Sequence, residues 1–502
     1  MTTYAYERLS AQDSSFLVFE GPTTHMHVGG TSIFEIGPLA TPSGGVDIER
    51  IRQYIGSRLH FIPRYRQRLA FVPFTNNPVW VDDDRLNLNY HVRHTSLPRP
   101  GDETQLKQLT ARIISQQLDR GKPLWELWIV EGLEGGRFAM VLKTHHCVVD
   151  GVSGVDLMSV LLNPSPTDAV ESAPPWMPRR APTPTELLRD DVVRRAAAPL
   201  DLARRLVSAL EDPTRARADL AENVSATWEA VSAGLWRPAD TPLNRPIGPH
   251  RRFDWHGLDL VEVKAVKNCL GGTINDVVLA TVAGAVRRFL TQRRVNIDAL
   301  NYKAVVPVSV RSAAEQGNLG NRVSAWLMSL PIQERDPRRR FTAVQELTTR
   351  LKDSKQARGI EMLTQVAELA DPILTLGVRL AARMHPYNLI VTNIPGPQFP
   401  LYLLGAQMIE GYPHVPLFEY QGLGVALFSY IGKLFWGFNA DWELMPDLDR
   451  FVRAIGVSFR ELHDAATTAA ATTELQRAAR RAAPAPKSRQ ASARRVVEPG
   501  RG

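Results

Sequence analysis

Phe138-Ala139-Met140-Val141-Leu142-Lys143-Thr144 runs directly into His145-His146-Cys147-Val148-Val149-Asp150-Gly151, and this junction constrains the fold more than any other segment. The run is apolar at most positions of both alternating sets, the pattern of a strand buried on two faces. The strand ends in two histidines and turns at Asp150-Gly151. Neighbouring side chains on a strand point to opposite faces. One histidine is therefore expected to face a cleft and the other to pack inside, which favours one working base over a two-histidine chelate.

Elements of both kinds are predicted on either side of this strand. Val28 to Ile36 and Arg137 to Thr144 read as strands, and Ile48 to Leu59 and Leu106 to Leu118 as helices. Residues 164–250 are different: seven prolines fall between Pro164 and Pro184, and four more between Pro238 and Pro249. Between them, Glu186 to Leu210 reads as a basic amphipathic helix and Arg215 to Leu235 as a second helix. These helices are expected to pack on the body, the alternative being a membrane surface. From Arg251 a second α/β unit is predicted. It has helices over Asp276–Leu290, Arg339–Lys352, Leu363–Met384 and Pro446–Leu462, and strands over Asn301–Val310, Asn388–Asn393 and Val425–Ile431. The expected division is 1–165, 166–250, 251–465 and 466–502.

The 502 residues are 44% hydrophobic, enough for a sizeable core. The net charge of +8 is mostly local. From Ala471 to Gly502 there are eight basic residues and two acidic ones, a net +6, which leaves a nearly neutral body. A basic nucleic-acid-binding domain is not indicated. The Ala/Arg/Pro/Ser-rich tail is predicted to be disordered. Two cysteines, Cys147 and Cys269, are too few for a disulfide framework. Residues 1–20 lack a basic start followed by an apolar run, so no secretory leader is expected there. The longest apolar candidate for a span, Leu423 to Phe438, is short and contains Lys433.

The segment His145 to Gly151 matches the HHxxxDG motif of CoA-dependent acyltransferases and peptide-synthetase condensation domains. Further landmarks follow in order: Leu9-Ser10 with Asp13, Phe16 and Leu17; Met26-His27-Val28-Gly29-Gly30; Leu118-Asp119-Arg120; and Pro123-Leu124-Trp125-Glu126. After the histidines come Thr273-Ile274-Asn275-Asp276, Val305 to Arg311, Gly320 to Ser324, and Thr392-Asn393-Ile394-Pro395-Gly396-Pro397. As an ordered set, from about residue 5 to residue 460, they resemble the bacterial wax ester synthase/diacylglycerol acyltransferase family. The resemblance implies a two-lobed chloramphenicol-acetyltransferase-like fold with a long helical inter-domain connection. It implies transfer of a fatty acyl group from acyl-CoA to diacylglycerol or, as the alternative, to a long-chain alcohol. No cofactor beyond acyl-CoA as co-substrate and no metal are implied. The expected place of action is cytoplasmic, at the inner membrane or a lipid-droplet surface, with the Glu186–Leu210 helix and the basic tail as candidate lipid contacts.

The resemblance also assigns roles. His146 is the general base, because a neutral imidazole can take the proton of an attacking hydroxyl. His145 orients or packs. Asp150 is expected to face away from the reacting centre and pair with an arginine, for which Arg311 is the candidate, and Gly151 relieves the turn. Pro123, Leu124 and Trp125 are expected to line an apolar channel, with core packing as the alternative. Asn275 and Asp276 either hold substrate at a helix N-terminus or cap that helix. Thr392 and Asn393 are expected beside the substrate tunnel. Other chemistries fit less well. Zinc needs three or four converging ligands, and no HExxH or CxxC spacing is present. Cys147 shares the parity of His145, away from the cleft, and no GxSxG elbow supports a serine hydrolase. A non-catalytic lipid-surface protein keeping the fold is the remaining alternative.

Overall fold

A computed structural model describes residues 4–148, 154–196, 239–309, 323–353 and 387–482. The strands in chain order are β1 (Glu7–Arg8), β2 (His27–Glu35), β3 (Gln67–Phe71), β4 (Pro78–Asp82), β5 (Val92–Ser96), β6 (Trp125–Leu133), β7 (Arg137–His145) and β8 (Arg251–Asp259). They continue with β9 (Lys303–Ser309), β10 (Val323–Ser329), β11 (Leu389–Pro395), β12 (Tyr402–Leu403), β13 (Ala406–His414), β14 (Leu423–Tyr430) and β15 (Lys433–Asp441). Two six-stranded sheets dominate. The first has the order β12-β13-β2-β7-β6-β5 and the second β10-β9-β11-β14-β15-β8. A small sheet, β1-β4-β3, stands beside the first.

The predicted keystone strand is central. β7 lies between β2 and β6, and eight of its nine residues are buried, as its apolar run requires. Glycines at Gly135 and Gly136 adopt positive φ and close the β6–β7 hairpin tightly. The apolar run Leu423 to Phe438 forms a second hairpin, β14–β15, rather than a span. Its two turn residues, Ile431 and Gly432, have φ of 38° and 69°, the left-handed pair that matches the twist of the flanking strands. Among the described residues no single helix is long and apolar enough to cross a membrane.

Three expectations need correction. Residues 402–414 do not stay with the 251–465 unit. β13 pairs antiparallel with β2, placing Tyr412 opposite Thr31, and Tyr402 bridges Asn163. The C-terminal half thus donates two strands to the N-terminal sheet, and Phe253, Trp255, Phe428, Tyr430 and Phe435 join the core under that sheet. Secondly, the helix predicted to end at Leu462 runs from Leu448 to Ala482, so the start of the supposedly disordered tail is helical; residues 483–502 lie outside the described residues. Its buried face, Phe451, Ile455, Phe459 and Leu462, repeats at helical spacing and packs against the Ile274–Gln292 helix. Thirdly, the Leu106–Leu118 helix spans Glu103–Ile114. It starts at a capping box in which Asp102 accepts from the Gln105 N–H and Gln105 from the Asp102 N–H.

Of the expected Glu186–Leu210 helix, residues 184–196 are described and helical. One face packs on the small sheet: Leu187 joins Val72, Val79 and Val81, and buried Asp191 pairs with Arg8, Arg194 and Arg195. Val192 and Val193 are exposed. The helices expected at 215–235 and 363–384 lie outside the described residues.

Candidate active site

The site grows from the end of β7. Register places His145 opposite His27 of β2, and the backbone N–H of His146 donates to Met26 O at 2.7 Å. Thr144 and His145 then point to opposite faces, as alternation demands. The Thr144 hydroxyl meets the Tyr65 hydroxyl at 2.7 Å on one face, and His145 enters the interior on the other. The chain leaves the strand at His146 and makes a 3₁₀ turn, His146–Val148.

His146 is half-buried and stacks on Phe16 with centroids 3.8 Å apart and rings 15° from parallel. Phe16 comes from the Ala11–Phe19 helix, whose start explains the Ser10 and Asp13 landmark. The Ser10 side chain caps the helix by accepting from the Asp13 N–H. Protein surrounds the imidazole closely enough that burial pushes its pKa down to about 4. His146 is therefore a neutral imidazole at physiological pH, the form that accepts a proton.

His145 is fully buried. Its Nδ1 accepts from the Cys147 backbone N–H at 3.2 Å and touches Cys147 Sγ at 2.9 Å. Its Nε2 lies 3.6 Å from Glu20 Oε2. Arg120 donates from Nε and Nη2 to that same oxygen, at 3.0 and 2.8 Å, and His27 Nε2 stands 3.6 Å from the other. Burial would raise the Glu20 pKa, but His145, His27 and Arg120 outweigh it and hold the carboxyl down to about 2. Burial, with Asp13 and Glu20 nearby, pushes the Cys147 thiol well up, so it is no thiolate nucleophile.

Other expected site residues have other neighbours. Trp125 is fully buried between Tyr65 and His91, at 4.5 and 4.6 Å, and its indole N–H donates to Tyr65 O. Leu124 is in the same core and Pro123 is buried, so this motif takes the core-packing alternative. Asp276 is buried at N3 of the Ile274–Gln292 helix. One oxygen accepts from the Thr273 N–H and hydroxyl, and the other from the Thr348 hydroxyl. That is the capping alternative. Asn275 instead accepts from Asn393 Nδ2 at 2.7 Å, joining two motifs 118 residues apart. Thr392 and Asn393 sit on β11, paired with Ala426 and Leu427 of β14. Asp150, Gly151 and Arg311 lie outside the described residues.

A small cavity lies between the two large sheets, beside His27. It is lined by His25 and His27, Lys143, Arg251, His414 and Asn439. Reasoning from sequence did not single out Glu20 or Arg120 as partners of the histidines. Glu20 follows an apolar helix and Arg120 a helix end, and only the fold brings them to His145, 125 and 25 residues away.

The Wax ester synthase/diacylglycerol acyltransferase catalytic domain model matches residues 9–278, and the WS/DGAT C-terminal domain model residues 319–463. The chain is 33% identical over 454 residues to the probable diacylglycerol O-acyltransferase tgs1 of Mycobacterium tuberculosis, covering 89% of this chain and 94% of that one. It is 32% identical over 467 residues to tgs2 of the same organism, covering 90% and 98%. Among solved structures, the wax ester synthase/diacylglycerol acyltransferase of Marinobacter aquaeolei VT8 superposes with a TM-score of 0.64 at 26% identity, covering 92% of this chain and all of that one. The first condensation domain of the CDA synthetase shares the fold at a TM-score of 0.55, with 16% identity over 93% of this chain and 99% of that one.

Proposed function

Because the chain belongs to the wax ester synthase/diacylglycerol acyltransferase family, we propose that it transfers a long-chain fatty acyl group from acyl-CoA to the free hydroxyl of diacylglycerol, with His146 as general base. The observation that carries the assignment is the place of His146, at the end of the buried central strand β7 and stacked on Phe16, where burial favours the neutral imidazole. A hydroxyl is a poor nucleophile while it holds its proton. His146 takes that proton as the oxygen attacks the thioester carbonyl, the tetrahedral intermediate collapses, and the imidazolium returns the proton to the departing CoA thiolate. Atoms balance without an acyl-enzyme, and acyl-CoA is the only co-substrate the reaction needs.

Both substrates carry long apolar chains, so the protein meets them at a lipid surface. Peripheral attachment to a membrane or lipid droplet is supported by the exposed apolar side chains of Phe71 and Phe74 on the β3–β4 hairpin and Val192 and Val193 on the neighbouring helix. Such side chains enter the interfacial layer without spanning it.

The test measures CoA release and lipid products from purified protein given long-chain acyl-CoA, with diacylglycerol, with a long-chain alcohol, or with neither. Diacylglycerol-dependent release with triacylglycerol as product is expected, and a fall of about 10²–10⁴-fold in His146→Ala. Release only with the alcohol makes the protein a wax ester synthase. No acceptor-dependent release leaves a non-catalytic lipid-surface protein.

A further inference from the structure

Phe16 and Glu20 are four residues apart at the C-terminal end of one helix, and they grip consecutive histidines. Phe16 stacks on His146, and Glu20, the residue that ends the helix, faces His145. Residues four apart lie on one face of a helix. Arg120 ties this end down, donating to Leu17 O at 3.0 Å as well as to Glu20. The second feature is the tautomer of His145. Its Nδ1 accepts the Cys147 N–H, so the ring proton belongs on Nε2, which faces the Glu20 carboxylate at 3.6 Å. The Cys147 N–H lies inside the 3₁₀ turn that starts at His146, so the His145 ring pins that turn.

We propose that Glu20 is a positioning residue: its carboxylate, anchored by Arg120, fixes the orientation and tautomer of His145, which in turn holds the turn that presents His146. The inference rests on His146 being the base. Without the carboxylate, a flipped His145 ring loses little in the pocket, the bond to the Cys147 N–H is given up, and the His146 imidazole leaves its reactive pose. An orientation fault in a reacting group lowers turnover, because the chemical step depends on alignment of the reacting atoms.

The test compares steady-state kinetics of wild type, Glu20→Gln, Arg120→Gln, His145→Gln and the Glu20→Gln/His145→Gln double variant, with His146→Ala as reference, at a temperature well below each melting transition. Glu20→Gln is expected to lower kcat about 10–100-fold, by analogy with the loss when the partner that orients a metal-ligating histidine is removed, with KM for acyl-CoA and for the acceptor unchanged. The double variant should be no slower than His145→Gln, because both changes break one chain of contacts. Arg120→Gln should lower kcat in the same direction and gives the same reading if Glu20→Gln does not fold. Multiplicative losses in the double variant, or a raised KM with unchanged kcat, would overturn the proposal. If His146→Ala keeps wild-type turnover, the base assignment fails and takes this inference with it. If His146→Ala is inactive and Glu20→Gln turns over normally, only the role of Glu20 fails.

Discussion

The ring of Phe16 covers His146 face to face at 3.8 Å, and that cover is part of the burial that lowers the imidazole's pKa. In the proposed mechanism the neutral ring is the active form, and burial brings its pKa to about 4. In wild type, kcat/KM should fall on the acid side only as pH drops through about 4. Phe16→Ala opens one face to water, which restores solvation of the imidazolium and raises the pKa toward the ordinary 6.5. The acid limb of the pH–rate profile should move up accordingly, so that activity at pH 5.5, relative to pH 8, is lower in the variant. A limb that stays put would mean that Phe16 does not set the titration.

The Asp276 cap predicts a stability effect that separates its two possible roles. All three hydrogen bonds to its carboxylate come from protein groups, at 2.7–2.8 Å. Asp276→Ala leaves the Thr273 N–H without its acceptor and turns the Thr348 hydroxyl over to Gln345 O alone, and should cost about 1–3 kcal/mol. The expected outcome is a lower melting temperature with KM for acyl-CoA unchanged in the folded protein. A raised KM at unchanged melting temperature would return Asp276 to the substrate site.

The parts legible in the sequence were those written locally. The apolar run before His145 announced β7, and Thr273-x-x-Asp276 announced a helix start, because a strand's burial and a cap's hydrogen bonds involve residues close in the chain. The rest depends on contacts between distant segments. β13 carries Gly411, Pro413 and Glu410 among its apolar residues and has no clean alternation, and its partner β2 lies more than 370 residues earlier. The same holds at the site. His146 is recognisable, but Phe16, Glu20 and Arg120 become its neighbourhood only through tertiary packing. Trp125 left two readings open because an aromatic in an apolar motif reads the same whether it lines a tunnel or fills a core.

Buried histidines make the fold acid-sensitive. His25, His27, His91, His146, His256 and His414 all have pKa values lowered chiefly by burial, to about 4 for His146 and about 3 for His414. Between pH 6.5 and these lowered values the unfolded chain binds protons that the folded one refuses. Stability therefore rises with pH across that window and is lost as pH falls through it, by up to about 1.4 kcal/mol per pH unit for each such histidine. Glu20 and Asp82, held near 2, add losses of the same sign below about pH 4.5. Thermal melts at pH 7, 6 and 5 should show a steadily falling midpoint. A midpoint that is flat over this range would contradict the burial of neutral imidazoles.

Gly437 lies at a close approach of the two large sheets. It lies on β15, and a Cβ there would stand 2.0 Å from Pro413 O on β13, the strand given to the other sheet. The obstacle is backbone, held by the pairing of Pro413 with Gly30 of β2, so it cannot swing aside as a flexible side chain would. Gly437→Ala must push β13 away from β15 and should cost at least the 1–3 kcal/mol typical of overpacking. Gly432, in the turn of the same hairpin, is the control. It has φ of 69° and open space around its Cβ position. Gly432→Ala meets only the left-handed backbone penalty, about 1–2 kcal/mol. Thermal melts of the two variants should therefore rank Gly437→Ala below Gly432→Ala, with loss of soluble protein only in the former. Equal melting temperatures would mean that β13 is not clamped between the sheets as the β2 pairing requires.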